Sequence, residues 1–161
     1  MARLPRLHLG CGRYYWPGFV NIDADDSGDV QADIRLIEGY EASEIHAIHV
    51  IEHLYRYEVL DVLKRWHANL TNGGLLVLEC PDLDKVLALA NRDDLMRGLF
   101  GEYRYESELM THRWCYSSAE LVALCRQAGF VNVRALPPVF HKPGRDMRVE
   151  AHADHQSARP D

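Results

Sequence analysis

Residues 7–23 read LHLGCGRYYWPGFVNID. A short strand-like run, Arg6 to Leu9, enters Gly10-Cys11-Gly12 as a strand enters a nucleotide-binding loop, and glycines there let a ligand approach backbone that side chains would block. A second strand-like run, Phe19 to Ile22, follows almost at once and ends on Asp23. A dinucleotide loop requires a third glycine three positions after the second and an acidic residue about twenty positions further on. This chain has Tyr15 at the first of those places, and Asp23 comes eleven positions after Gly12. Pro17 interrupts the segment, so there is little room for a regular helix whose N-terminus would hold a pyrophosphate. The stretch argues against a phosphate-bearing cofactor.

S-adenosylmethionine carries no phosphate: it joins ribose and adenine to a sulfonium and an amino acid. A carboxylate ending the second strand suits the two ribose hydroxyls, which points to Asp23. A third run, Val30 to Ile34, contains Asp33, placed to accept the adenine amino group, and Ile34, placed to pack on the ring. On these residues alone, an ordinary tight turn flanked by exposed loop acids remains an equal alternative.

Further along, Glu44 to Ile51 is rich in β-branched residues and reads as a fourth strand. Val59, Val62, Leu63, Trp66 and Leu70 then recur at three or four residues, a helical face closed by Asn72-Gly73-Gly74. Leu75 to Cys80 is almost continuously apolar, as a strand buried on both faces is. Asp82 can cap a helix through Leu83, Val86, Leu87 and Ala90, and a second short helix spans Asp93 to Phe100. Gly101 to Tyr116 has no clean period and reads as a long loop or lid. Ser117 and Glu120 have capping-box spacing ahead of a helix through Leu121, Leu124, Cys125 and Ala128, stopped by Gly129. Phe130 to Leu136 and Met147 to His152 alternate like two strands of a closing hairpin. The alternation of strands and helices implies an α/β domain with a mostly parallel sheet, over residues 1–153, and a frayed tail from Asp154 to Asp161.

The 161 residues suit one domain, and a formal net charge of -6 argues against nucleic acid as the main partner. No apolar run of membrane-spanning length or signal-peptide pattern is present, so the expectation is a cytoplasmic protein with no membrane partner. The four cysteines form no CxxC pair, consistent with reduced thiols.

In their order along the chain, LHLGCG, NIDAD, ADI, HVIEHL, NGGLLVLECPDL and SAELVALCRQAGFVNV resemble the class I S-adenosylmethionine-dependent methyltransferases, in particular small methyltransferase-domain proteins. The resemblance implies a Rossmann-like fold, a mostly parallel seven-stranded sheet with a C-terminal antiparallel hairpin. It implies methyl transfer from S-adenosylmethionine to a small acceptor, at oxygen or nitrogen, with a sugar or secondary metabolite in keeping with the family. Carried over by position, Gly10, Cys11 and Gly12 lie against the cofactor's amino-acid part, Asp23 and Ala24 at the ribose, Asp33 and Ile34 at the adenine, and His49 beside the methyl-donor centre. The chain departs from the family pattern in having no helix before the first strand and at most a turn between the first two. The pocket is then expected to be open, or completed by a partner in a homodimer. A non-catalytic accessory module that keeps the cofactor fold is the alternative.

The histidines carry further readings. His53 is the first candidate for a general base and His112 the second, since an imidazole titrates near neutrality and the lid can bring His112 over the donor. Equally, His53 can be a helix-start residue bonded to backbone and His112 a surface residue packed near Trp114. His49-Val50-Ile51-Glu52-His53 also spells HxxEH, an inverted zinc-peptidase motif, but that motif needs one helix where the sequence favours a strand ending. No metal ligand is assigned, although Glu52 and His53 could hold a divalent ion within a methyltransferase. Tyr14, Tyr15 and Trp16 are candidates for the pocket floor, and His8 for a core or edge position.

Overall fold

The computed structural model describes residues 3–102 and 108–155. Seven strands form one sheet: β1 (Arg6–Leu9), β2 (Val20–Asp23), β3 (Val30–Gln31), β4 (Ala42–Ile48), β5 (Leu70–Pro81), β6 (Phe130–Leu136) and β7 (Asp146–Ala153). Their order is β3-β2-β1-β4-β5-β7-β6, all parallel except β7, which runs antiparallel to both neighbours. The mostly parallel seven-stranded sheet and its closing hairpin are as expected. The third strand is shorter than its sequence run, so that Asp33 and Ile34 lie beyond it. The fourth starts and ends earlier than expected and gives way at Ile51–His53 to a single 3-10 turn.

Register sorts the sheet into two unlike faces. Leu7, Ile45, Leu76 and Ala151 stand in one row and Leu9, Ala47, Leu78 and Val149 in the next, all fully buried. Helices α1 (Val59–Ala68) and α4 (Ser118–Gln127) cover this face with Val62, Leu63, Trp66, Leu121, Leu124 and Cys125. Trp66 also donates its indole N–H to the Ile34 carbonyl at 2.9 Å, tying α1 to the β3–β4 connection. The helix ends at Ala68, before the Gly73-Gly74 stop the sequence suggests, because the Asn69 side chain donates to the Arg65 and Ile37 carbonyls. At α4, Ser117 accepts from the Glu120 amide as a capping box requires, but the Glu120 carboxylate goes to Arg56 (2.8 Å) instead of back to the cap.

The other face carries His8 on β1, Glu44, His46 and Ile48 on β4, Glu79 on β5 and Arg148 and Glu150 on β7. Among the described residues no helix crosses between β1 and β2, β2 and β3, or β3 and β4. Two loops cover the face instead. Trp16 stacks on His8 with ring centroids 4.0 Å apart and meets Phe140, from the β6–β7 connection, at 4.7 Å. Asn21, fully buried on β2, clamps the first loop: its amide donates to the Trp16 and Phe19 carbonyls and its oxygen accepts from the Trp16 amide. Glu79 anchors the second, accepting from the Val139 and Phe140 amides and from Arg148. Trp16 is therefore not a pocket floor; it lies over the sheet face that a crossover helix would otherwise cover. His8, 2 % exposed beneath it, is a core histidine, and burial holds its pKa below the ordinary value.

Short helices α2 (Leu83–Leu87) and α3 (Arg92–Phe100) follow β5, each capped by the side chain before it, Asp82 and Asn91. Of the expected lid, residues 103–107 lie outside the described residues; its remainder is tied down, with the His112 amide on the Phe100 carbonyl and the Arg113 and Trp114 amides on the Glu52 carbonyl. Asp154 and His155, expected to fray, bond to His67 and Asn72, while the rest of the tail is outside the described residues. No described helix is long and apolar enough to cross a membrane.

Candidate functional site

Parallel sheets place ligands at the carboxyl ends of their strands. At those ends β1, β2 and β4 bring three features together. Gly10 has φ +64° and its amide donates to the Ile22 carbonyl at 2.8 Å. A Cβ on Gly10 would overlap Val50 Cγ2, so this glycine exists for close packing of the loop on the chain after β4. Gly12 is different: φ is +47° and a Cβ there would meet nothing within 4 Å. Its amide donates to Asp23 Oδ2 at 2.7 Å, and the Ala24 amide to Asp23 Oδ1 at 2.7 Å. These bonds hold the Asp23 carboxylate beside the loop and leave it acceptor capacity on Oδ2. Cys11 is buried with its sulfur towards Ser27, so among the three loop residues the surface at this point is made by the glycines.

Open backbone at Gly12 beside a steadied carboxylate fits the amino-acid and ribose parts of S-adenosylmethionine. The adenine end fits less well. Both Asp33 oxygens are taken by the Arg35 guanidinium, at 2.7 to 3.1 Å, and this hydrogen bonding holds the Asp33 carboxyl below its usual range. Ile34 is half-buried against the core. Two surface cavities among the described residues lie elsewhere, one of about 160 Å³ beside Asp94, Lys142 and Arg145 and one of about 570 Å³ beside Glu38, Asp61 and Lys64.

After β4 the chain turns sharply. His49 has φ +55°, a left-handed conformation uncommon outside glycine and concentrated at functional sites. Its Nδ1 lies 2.9 Å from Glu52 Oε1 and its Nε2 3.2 Å from Asp146 Oδ2, so one imidazole spans two buried carboxylates. Burial alone would lower its pKa, but the two carboxylates override it and hold the ring as imidazolium. For Glu52 and Asp146 burial likewise works against charge, and His49, with Arg145 beside Asp146, holds both carboxyls well below the usual range. His49 is thus a charged strut between β4, the 3-10 turn and β7, with the His141 ring 4.0 Å away. The HxxEH peptidase pattern fails here: His49 and His53 do not share a helix, and His49 is turned to Glu52 and Asp146.

The two candidate bases do meet. The His53 and His112 rings are 5.0 Å apart and nearly perpendicular. His53 Nδ1 lies 3.1 Å from the Thr111 carbonyl and His112 Nδ1 3.0 Å from the Gly98 carbonyl. A carbonyl only accepts, so each Nδ1 carries a proton, and a neutral ring has its lone pair on Nε2. His53 bonds to backbone through this nitrogen, as one of its two readings requires. Burial holds His112 below the ordinary histidine value, which favours this neutral form. Sequence reasoning missed Asp146 and Gly101. A Cβ on Gly101, φ +69°, would overlap the Met110 carbonyl and crowd His112, so this glycine lets His112 reach its place.

A family model described as a methyltransferase domain matches residues 17–135, beginning just after the glycine loop. No curated protein matched significantly in sequence. Among solved structures, a Bordetella parapertussis protein superposes with TM-score 0.64 at 16% identity, covering 94% of this chain and 63% of its own. A Listeria monocytogenes protein described as an S-adenosylmethionine-dependent methyltransferase gives TM-score 0.64 at 12% identity, covering 94% of this chain and 92% of that one. A structure described as PigF with SAH gives 0.61 at 16%, over 92% and 50%. The chain spans about half to two-thirds of the length of the first of these structural relatives. The sheet order with its antiparallel β7 is the class I arrangement expected from the motifs, and with a family model matching most of its length the chain belongs to the methyltransferase-domain family.

Proposed function

We propose that the protein transfers a methyl group from S-adenosylmethionine to a small-molecule acceptor, at oxygen or nitrogen. The observation that carries this is the open Gly12 backbone joined by hydrogen bond to Asp23 at the ends of β1 and β2, a short distance along the sheet from the His49–Glu52–His53–His112 cluster after β4. The cofactor, when bound, supplies an electrophilic methyl carbon on a sulfonium. Gly10 and Gly12 present the backbone, Asp23 accepts from ribose hydroxyl, and His53 and His112 are the candidate bases for the acceptor. Either can take the proton that an oxygen or nitrogen acceptor loses as its bond to carbon forms and the carbon–sulfur pair returns to sulfur. Alignment supplies much of the rate for such an in-line displacement. The acidic balance of the chain supports a small acceptor over nucleic acid.

Calorimetric titration with S-adenosylmethionine and S-adenosylhomocysteine tests the assignment. Binding is expected, with roughly tenfold or greater loss on Asp23→Ala, since a hydrogen bond to a charged group contributes about 1.5–3 kcal/mol. No binding at millimolar ligand, or the same affinity without the Asp23 carboxylate, overturns it. A second reading, an S-adenosylmethionine-binding accessory module without turnover, is favoured by the helix-free N-terminal crossovers. Binding without product across a broad panel of hydroxyl and amine acceptors would support that reading.

A further inference from the structure

We propose that Glu52, His53 and His112 form a site for one divalent first-row transition-metal ion. One donor atom from each residue lies within 4.8 Å of the other two. Each imidazole turns its Nδ1–H to a backbone carbonyl, so the neutral ring a metal requires would present its lone pair on the remaining nitrogen. His112 Nε2 stands 4.0 Å from Glu52 Oε1. Glu52 is 1% exposed, and among the described residues no hydrogen-bond donor is aligned on either of its oxygens; the 2.9 Å approach of His49 is an ion-pair distance without hydrogen-bond direction. A buried carboxylate and two imidazoles thus converge on one point. His49 meets Glu52 from one side only, and a metal cation is a further partner that the carboxylate and both imidazoles could share.

The surroundings are those of a metal centre. Ligating imidazoles are oriented by giving their other N–H to a carbonyl, and a ligating carboxylate is steadied by a neighbour, here His49. The backbone that carries the set is fixed, because the Glu52 carbonyl accepts from the Arg113 and Trp114 amides and the His112 amide is bonded to Phe100. Metal–ligand bonds of about 2.0–2.1 Å place tetrahedral neighbours about 3.3 Å apart. The three donors would therefore close by about 0.7 Å between His112 and Glu52 and by at most about 1.5 Å elsewhere, within reach of side-chain rotation. Two imidazoles with one carboxylate select zinc, cobalt, iron(II) or manganese over magnesium and calcium, which prefer oxygen shells. Three protein ligands leave a position for an exogenous group. The use of that position rests on the methyl transfer proposed above and replaces the base role given there to the two imidazoles, whose lone pairs the ion would occupy: the ion would polarise a hydroxyl acceptor and ease release of its proton to water.

The test uses the full chain, stripped with chelator and titrated with Co²⁺ and Zn²⁺ in the absence of S-adenosylmethionine, read by visible absorption of cobalt and by calorimetry. One ion per chain is expected, with affinity reduced roughly tenfold or more in His112→Ala and in Glu52→Gln. His155→Gln, which alters a separate histidine pair beside Leu70, leaves binding unchanged. Should Glu52→Gln fail to fold, as circular dichroism would show, His112→Ala and His53→Ala carry the test. Absence of stoichiometric binding at millimolar ion, or binding that His155→Gln weakens and His112→Ala does not, overturns the site. Metal binding and S-adenosylmethionine binding are measured separately, so failure of one leaves the other standing.

Discussion

The two loop glycines, one residue apart, are expected to fail in opposite ways when a methyl group is added. At Gly10, φ +64° forces an alanine into the left-handed region, costing about 1–2 kcal/mol, and the new Cβ overlaps Val50 Cγ2. Overpacking of this kind costs about 1–3 kcal/mol more. Gly10→Ala should therefore destabilise the chain by about 2–5 kcal/mol, lowering Tm by roughly 2–4 °C per kcal/mol in a chain of this size. At Gly12, φ +47° imposes a similar backbone cost but the Cβ enters open space, so about 1–2 kcal/mol is the whole effect on folding. If the cofactor lies against Gly12, that same methyl group occupies its space and S-adenosylmethionine affinity falls sharply. Urea denaturation of both variants, with calorimetric binding on each, separates the two roles. The steric share at Gly10 can be isolated by Val50→Ala, which removes the obstructing methyls. In a double-mutant cycle the pair should be less destabilised than the sum by about 1–3 kcal/mol, while the backbone cost stays. Additive losses in the cycle, or a Gly12→Ala variant less stable than Gly10→Ala, would refute the packing account of this loop.

Trp16→Ala should cost about 1.5–3 kcal/mol of stability, and as water reaches His8 its lowered pKa should rise towards the ordinary value, measurable by NMR titration. The His49 pKa is raised in the folded chain, so its contribution is complete below the unfolded value near 6.5 and is lost as pH climbs through the raised value. Between those limits unfolding free energy should fall by up to about 1.4 kcal/mol per pH unit, and His49→Gln should flatten that slope in denaturation series. Arg35→Ala should change stability by less than about 1 kcal/mol, because its pair with Asp33 is largely exposed. If Asp33 receives the adenine amino group, freeing it should also tighten S-adenosylmethionine binding in the same calorimetric assay.

Much of the fold was legible because the sheet's buried rows are written in adjacent residue types. Leu7, Leu9, Ile45, Ala47, Leu76 and Leu78 alternate or cluster as parallel strands must, and Ser117, Asp82 and Gly129 mark helix ends by chemistry that acts within a few residues. The glycine loop and Asp23 could be placed for the same reason, being contiguous with strands. What could not be read depended on contacts distant in sequence. Trp16 looked like a pocket aromatic because nothing local reveals that His8, His46 and Phe140 form the surface on which it rests. Asp33 looked free because its occupation by Arg35 is a matter of side-chain orientation. The carboxylate partners of His49 were not legible, because Asp146, which meets its other nitrogen, arrives on β7 nearly a hundred residues later. His53 and His112 could be named separately, but only the anchoring of the segment after Gly101 brings them together.

The helix-free crossovers have a consequence for the order in which the chain assembles. The β1–β2 pair joins Leu7 to Val20 across a short loop, whereas the β5–β7 pair joins Leu76 to Ala151. Each doubling of loop length costs about 0.6 kcal/mol in closure entropy, and more than two doublings separate these pairings, a difference of roughly 1.5 kcal/mol. The cofactor end is therefore favoured to form early, and the hairpin that delivers Asp146 to His49 to dock late. Folding φ-values are expected to be high at Ile22 and low at Val149; the reverse pattern would refute that order. The glycine loop would then exist in a chain whose charged cluster had yet to close, and the arrangement on which the proposed methyl transfer depends would appear only at the last docking step.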